Sequence, residues 1–438
     1  MKKKNSGFPF KAPLFPIRYS IPLIRYSLLI TFLLKLSFLL LFVHHIHLWE
    51  DHEIAVNLVN TGEYFINMDG LKNHSFQFPI YPIILSLVYK LSGIHPVMAC
   101  LYNLCLNIVT GFILVLLIQE IIKYLNISTL TEKNVKFITI SSLFIYLIHP
   151  AINYYTLYNV HPFMQNMFFL LLSVLLSFRL ARQLNLRNAF LFAIALGFAV
   201  LDRGTALMAV LPFTLITFLT KGLPETLRYL FFTGIIVSLI TLPWIIHNYR
   251  QDNFIGLESS SGKDMLKGVT ENSEGSNYLN NGKFYSSALP FSNSDSLAKM
   301  TVAGQNKYYM NQVVQKWKTS PAFAAKMFLV KLKNFWWFRN AAGNEQSEKV
   351  QKFIPLYKLV YFLTSLLMIL SFFLIGKKVI VLFSVPIAIS LIQASFYVET
   401  RHRILLEPLL ILIVLITLTL AISQILNFTR KSQKVWTE

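Results

Sequence analysis

The sequence predicts an all-α polytopic membrane protein with about ten transmembrane helices (range 9–13) and a first outer loop that holds juxtamembrane helices. Three observations predict it. Of the 438 residues, 55% are hydrophobic and only 14% are charged, where a soluble domain carries about 25% charge. The mean hydropathy is +0.53. Long apolar runs recur along nearly the whole chain, so the solvent around most of the surface is a bilayer.

The net charge is +20. In a soluble protein that would point to nucleic acid. Here Lys and Arg fall mostly in short loops between apolar runs, the pattern that orients a membrane protein. No folded basic domain is left to bind nucleic acid, so membrane lipids are the expected surroundings. Cys100 and Cys105 lie in one apolar run. They imply neither a disulfide framework nor a thiolate metal site.

The elements follow in order. Residues 1–26 carry Lys2, Lys3, Lys4, Lys11, Arg18 and Arg25, a basic cytoplasmic N-terminus before an uncleaved first helix at 27–48. Residues 50–78 are polar and belong outside. The apolar piece 79–91 is about half a span and is read as re-entrant or interfacial. Runs 98–122, 137–149, 162–178, 188–201, 205–220 and 229–247 alternate across the bilayer. Basic residues such as Lys123, Arg179, Arg182, Lys221 and Arg228 mark the inner ends. Together 27–247 form a transmembrane core. Residues 248–322, rich in Asn, Ser, Gly and Lys, form an extracytoplasmic loop or small cap. Runs 354–375, 379–397 and 404–427 complete a C-terminal transmembrane region, 323–427, before a cytoplasmic tail at 428–438.

Charges that break the orientation pattern require another explanation. Glu50-Asp51-His52-Glu53 places three carboxylates where the chain leaves the bilayer. Partial desolvation there would raise a carboxylate's pKa toward the range of an efficient general base. Arg203, beside Asp202 at an outer helix end, is either a local pair or a guanidinium for phosphate. Glu399-Thr400-Arg401-His402-Arg403 puts two arginines in a very short outer loop, against the orientation rule, and Arg binds phosphate bidentately. His247 and Arg250 close a span after Pro243-Trp244, where aromatic residues also serve as interfacial anchors. His44, His47 and Asp51 fall at i, i+3 and i+7, a spacing that could ligate a metal on one helical face. A fourth ligand is missing from that spacing.

Several stretches in this order resemble one family. Ala55-Val56-Asn57-Leu58 runs into Gly62-Glu63-Tyr64-Phe65. Phe78-Pro79-Ile80-Tyr81-Pro82 then precedes a short apolar helix ending at Gly93. Leu201-Asp202-Arg203, Pro243-Trp244 with Asn248-Tyr249, and Arg401-His402-Arg403 with Glu407-Pro408 follow. The chain resembles the GT-C superfamily of membrane glycosyltransferases over most of its length. Its nearest likeness is the bacterial branch similar to protein mannosyltransferases and to aminoarabinose transferases acting on lipid A. It departs from that pattern in three places. The carboxylates lie closer to Ala55 with no Tyr between, His402 stands where Tyr is commoner, and His247 stands near a frequent Arg.

The resemblance implies a sugar donor linked to polyprenyl phosphate, an acceptor that is protein, lipid or polysaccharide, transfer with inversion, and a site on the outer face of a bacterial inner membrane. It implies Asp51 or Glu53, with Glu50 beside them, as the base. Arg401, Arg403, Arg203 and His402 become donor-phosphate ligands. Tyr64, Tyr81, His247 and Arg250 become substrate-loop residues. No cofactor is certain, and metal dependence varies within the superfamily, so a divalent cation stays open. The competing classes are a lipid flippase or transporter, which would use ionisable groups at mid-membrane such as Lys35 and show repeats, and an O-antigen-type polymerase or ligase.

Overall fold

The computed structural model describes residues 21–68, 71–279, 297, 299–338 and 351–437. Among these, eight helices are long and apolar enough to cross a membrane. They are α1 (Ile21–Phe42), α4 (Pro96–Leu125), α7 (Phe163–Arg182), α9 (Leu211–Lys221, entered through a 3-10 turn at Gly204–Val210), α10 (Leu223–Asp252), α14 (Ile354–Leu374), α15 (Val379–Ser395, after a 3-10 turn at Gly376–Lys378) and α16 (Glu407–Thr437, after a 3-10 turn at Thr400–Leu406). A broken pair, α5 (Glu132–Ile148) and α6 (Pro150–Leu157), is bent by 50° and makes a ninth. Helix α8 (Leu186–Asp202) has 17 residues, the lower limit for a span, and packs between α7 and α10. The chain is an all-α polytopic membrane protein, with eight or nine candidate spans among the described residues where about ten were expected.

The bend between α5 and α6 has a local cause. A residue before proline is kept out of helical geometry, and proline is favoured at the first helical position. His149 is that residue, extended at ψ 120°, and its side chain accepts from the Ile152 N–H. The first helix ends at Phe42, short of the expected residue 48. His47-Leu48 instead forms strand β1, paired in parallel with β4 (Asn159–Val160). This tertiary pairing outcompetes helix continuation, so His44, His47 and Asp51 share no helical face. Among the described residues no group of three His, Cys, Asp or Glu could hold a metal.

Two short helices follow β1. Helix α2 (Glu50–Thr61) ends on Gly62 at φ 76°, the left-handed region where glycine carries no penalty. A hairpin of β2 (Ile66–Met68) and β3 (Leu71–Asn73) leads to α3 (Ile80–Ser92). With 13 residues, α3 is about 20 Å long, too short for a hydrocarbon core of about 30 Å. It buries Tyr81, Leu85 and Tyr89 against Ala55 of α2 and Val160. These are the expected juxtamembrane helices.

The polar 248–322 stretch is partly helical, and residues 280–296 of it lie outside the described residues. Helix α10 runs on to Asp252, and α11 (Ser261–Lys267) packs on α12 (Val302–Thr319) around Leu266, Tyr309 and Val313. Helix α13 (Pro321–Trp336) is amphipathic rather than spanning and rests on α15 and the Thr400–Leu406 turn.

The main core joins α4, α7, α8, α9, α15 and α16. At one end of the bundle Glu120 is clamped by Arg182, at 3.0 Å, with Lys123 and Arg179 nearby. The short helices and α11–α13 cover the other end. Within α1, Lys35 is buried and donates to Asn107 Oδ1 at 2.8 Å. Lys90 is exposed on α3.

Candidate active site

A cavity of ≈ 670 Å³ opens at the end of the bundle covered by the short helices. Its walls come from the start of α2, the α3 entry, the β4–α7 turn, the end of α8, the α11 region and the α15–α16 connection. Each helix donates its terminus, where the backbone leaves the core and polar side chains can gather.

Asp51 forms the acidic wall. It sits in the first turn of α2, lines the cavity and is only 3% exposed. Burial first, then the Glu50 carboxylate, Asp202 and Glu258, hold its pKa well above the usual carboxylate range, against a bond from its own backbone. Glu50 lines the cavity beside it. Glu53 does not. It is exposed on the far side of α2, because two residues advance a helix by about 200°.

Arg401 and Arg203 form the cationic wall. Arg401 Nε pairs with Glu399 at 3.1 Å, its Nη2 reaches the Tyr397 hydroxyl at 3.5 Å, and its guanidinium lies 4.7 Å over the Trp49 ring. Arg203 caps α8, donating to Gln393 Oε1 at 3.1 Å and to Thr205 Oγ1 at 3.3 Å. The expected local pair with Asp202 does not form. Asp202 accepts instead from Gln165 Nε2 at 2.5 Å. His402 also lines the cavity, and its Nδ1 accepts from the Glu399 N–H in a capping box.

Arg403 leaves the site altogether. It is 1% exposed, pairs with Glu407 at 3.5 Å, donates to the Phe335 carbonyl and lies 3.6 Å over Tyr361. The Thr400–Leu406 turn is a 3-10 helix, which rotates about 120° per residue. Two arginines two positions apart therefore diverge, one into the cavity and one into the core.

The substrate-loop expectations divide in the same way. Tyr81 lines the cavity and donates to Asn103 Oδ1. Tyr64 is buried behind it, with its hydroxyl on the carbonyls of Gln77 and Phe78 and its ring edge-on to Trp244. His247 stacks on Trp244 at 4.5 Å, and Arg250 is exposed on α10. These three are outside the cavity, though Tyr64 fixes the Gln77-Phe78 wall.

Sequence reasoning missed six cavity residues. Trp49 donates to Asn159 Oδ1 and meets the His161 ring edge-on at 4.9 Å. Burial, then Arg401 and Arg203, keep His161 well below the usual histidine pKa. Its Nδ1 accepts from the Phe163 N–H. Glu258 accepts from Ser260, and burial first, then Asp264, push its carboxyl up to about 7. Lys267 pairs with Asp264 at 2.7 Å and lies 4.8 Å over the Tyr397 ring. Burial disfavours its charge, but Asp264 and Tyr397 outweigh that and raise its pKa. Gln393 bridges Arg203 and the Tyr397 carbonyl. Trp49 and Tyr397 carried a signal, one residue before the Glu50–Glu53 group and two before the Glu399–Arg403 group. His161 lies between two apolar runs, Gln393 in one, and Glu258 and Lys267 in the polar stretch, where spacing says nothing.

The fold and the cavity define a class: a polytopic helical membrane protein with an enclosed site of opposed carboxylates and guanidiniums at one end of its bundle. No family model matches the chain, and no curated protein matches it. Two solved structures of ArnT from Cupriavidus metallidurans are similar to it. The one bound to undecaprenyl phosphate is 12% identical, with 92% of this chain and 78% of that chain covered and a TM-score of 0.40. The apo state is 12% identical, with 91% and 77% covered and a TM-score of 0.40.

Proposed function

We propose that the protein is a membrane glycosyltransferase that moves a sugar from a polyprenyl-phosphate donor to an acceptor hydroxyl on the outer face of a bacterial inner membrane. The observation that carries this reading is the one cavity lined by buried Asp51 together with Arg401, Arg203 and Lys267. A carboxyl held above its usual range suits a base. Clustered guanidiniums suit a phosphate whose charge grows during reaction. The cavity lies at the bundle end opposite the basic cluster around Glu120, and the orientation rule assigns basic loops to the cytoplasm.

In this reading the acceptor O–H gives its proton to Asp51. The acceptor oxygen bonds to the anomeric carbon, and the bond from that carbon to the phosphate oxygen breaks. Polyprenyl phosphate leaves with one more negative charge, which Arg401 and Arg203 neutralise. The configuration inverts, and no covalent glycosyl-enzyme forms. Glu258, which lines the same cavity and whose carboxyl is pushed up to about 7, orients the acceptor by hydrogen bonding.

Deletion of the gene, followed by mass spectrometry of envelope glycans and lipids, tests the reading. Loss of one sugar from one acceptor class is expected, restored by the wild-type gene and not by Asp51→Asn. An unchanged envelope profile with altered solute uptake overturns it in favour of transport.

A further inference from the structure

We infer that Lys331, which does not line the cavity, is a positioning residue that holds Arg401 in its phosphate-facing place. The inference rests on the donor-phosphate reading of Arg401.

Lys331 lies on α13 and is only 2% exposed. A lysine is rarely buried so deeply without a carboxylate. Among the described residues its one hydrogen bond goes to a neutral group, the Phe396 carbonyl, at 2.8 Å. Burial alone moves its pKa, down to about 8, with no carboxylate contributing. A long cation in this setting indicates that its one contact matters.

The residues around its stem are fitted to it. Gly275 adopts φ +70°, and a Cβ there would fall 2.4 Å from Lys331 Cγ. A Cβ on Gly268 would fall 2.2 Å from the Phe396 carbonyl oxygen and 2.7 Å from Lys331 Nζ. Both positions need glycine for space, and Gly275 needs it for its backbone as well. From the same side the Gly275 carbonyl accepts from the Val398 N–H at 2.7 Å. Asn334, one turn along α13, donates to the Glu274 carbonyl at 3.0 Å.

The extended segment 396–399 is therefore held from outside at Phe396 by Lys331 and at Val398 by Gly275, beside the bonds that Gln393 donates to the Tyr397 carbonyl and that the Glu399 N–H donates to His402. Tyr397 lies between these points and Glu399 just past them. Two of the groups that touch Arg401, Tyr397 and Glu399, are thus steadied by the grip, while Trp49 and Tyr155 meet it from other elements. Releasing Phe396 would let Tyr397 and Glu399 shift and would carry the guanidinium out of register. A shift of about 1 Å costs a binding or catalytic site heavily.

The test is binding of undecaprenyl phosphate to the full chain in nanodiscs, read by native mass spectrometry, for wild type, Lys331→Met, Arg401→Gln and the double variant. Each single change is expected to weaken binding about tenfold, and the double variant to bind no more weakly than Arg401→Gln alone, because both act through one group. Gly275→Ala carries the same comparison from the other side of the grip should Lys331→Met not fold. Losses that multiply in the double variant, or wild-type binding by Lys331→Met, overturn the inference while leaving the donor reading intact. Binding that Arg401→Gln leaves unchanged overturns the donor reading and this inference together.

Discussion

Two helical positions separate Asp51 from Glu53, and they send one carboxylate into the cavity and the other to the surface. Asp51→Asn should lower the transfer rate by about 10²–10⁴, while Glu53→Gln should leave it unchanged, both read as initial rates with purified donor. The pH profile carries the sign of the environment. A base must be ionised to accept a proton, and the Asp51 pKa is raised, so the rate should fall as pH drops through that raised value. Glu50→Gln removes the largest charge that raises it and should move the acid limb to lower pH. Glu258→Gln should move it the same way by less. Arg401 and Arg403 form a second divergent pair. Arg401→Gln should weaken donor binding with little change in thermal midpoint. Arg403→Gln should instead lower the midpoint, because it strands Glu407 in the core, a loss of about 3 kcal/mol. The sequence placed the two members of each pair in one group because it shows spacing. Which way each side chain points depends on whether the turn is α or 3-10, and that is decided by packing.

At the scale of elements, spans were the most legible feature, since an apolar run of about 20 residues has few alternatives. Their ends were less so. The first helix stops at Phe42 because His47-Leu48 finds a strand partner in Asn159-Val160, a contact between residues far apart in sequence. Helices α12 and α13 left little trace, because their lysines and asparagines mask the apolar stripe formed by Tyr309 and Val313, and by Ala324 and Met327. Close packing of α8 on α10 depends on Gly197, where a Cβ would meet Ile240 Cδ1 at 2.7 Å and Ile240 Cβ at 3.1 Å. Gly197→Val should therefore force the two helices apart and destabilise the protein by about 1–3 kcal/mol, seen as a lower thermal midpoint in detergent. Arg203, at the end of α8, should shift with it, so donor binding should weaken in the same variant.

For the whole molecule, the expected orientation puts α11–α13 outside and the basic turns inside. Lys318 and Arg187 are exposed at these two levels. Lys318→Cys should react with an impermeant maleimide on intact cells, and Arg187→Cys only after permeabilisation. The reverse pattern would place the cavity on the cytoplasmic side. That the Glu50–Glu53 and Glu399–Arg403 groups belong at the same end of the bundle, where members of both line one cavity, was legible from alternating spans and basic loops. The contributions of Glu258, Lys267 and Lys331 were not, since they depend on how a polar stretch folds over the bundle. The two walls of the cavity also come from opposite ends of the chain, Asp51 near its start and Arg401 just before its last helix. During synthesis Asp51 is made early, Arg203 and Lys267 follow mid-chain, and Arg401 joins them only after α15 has been made. A chain cut short before Arg401 would hold most of the bundle yet leave the cavity without one of its cations.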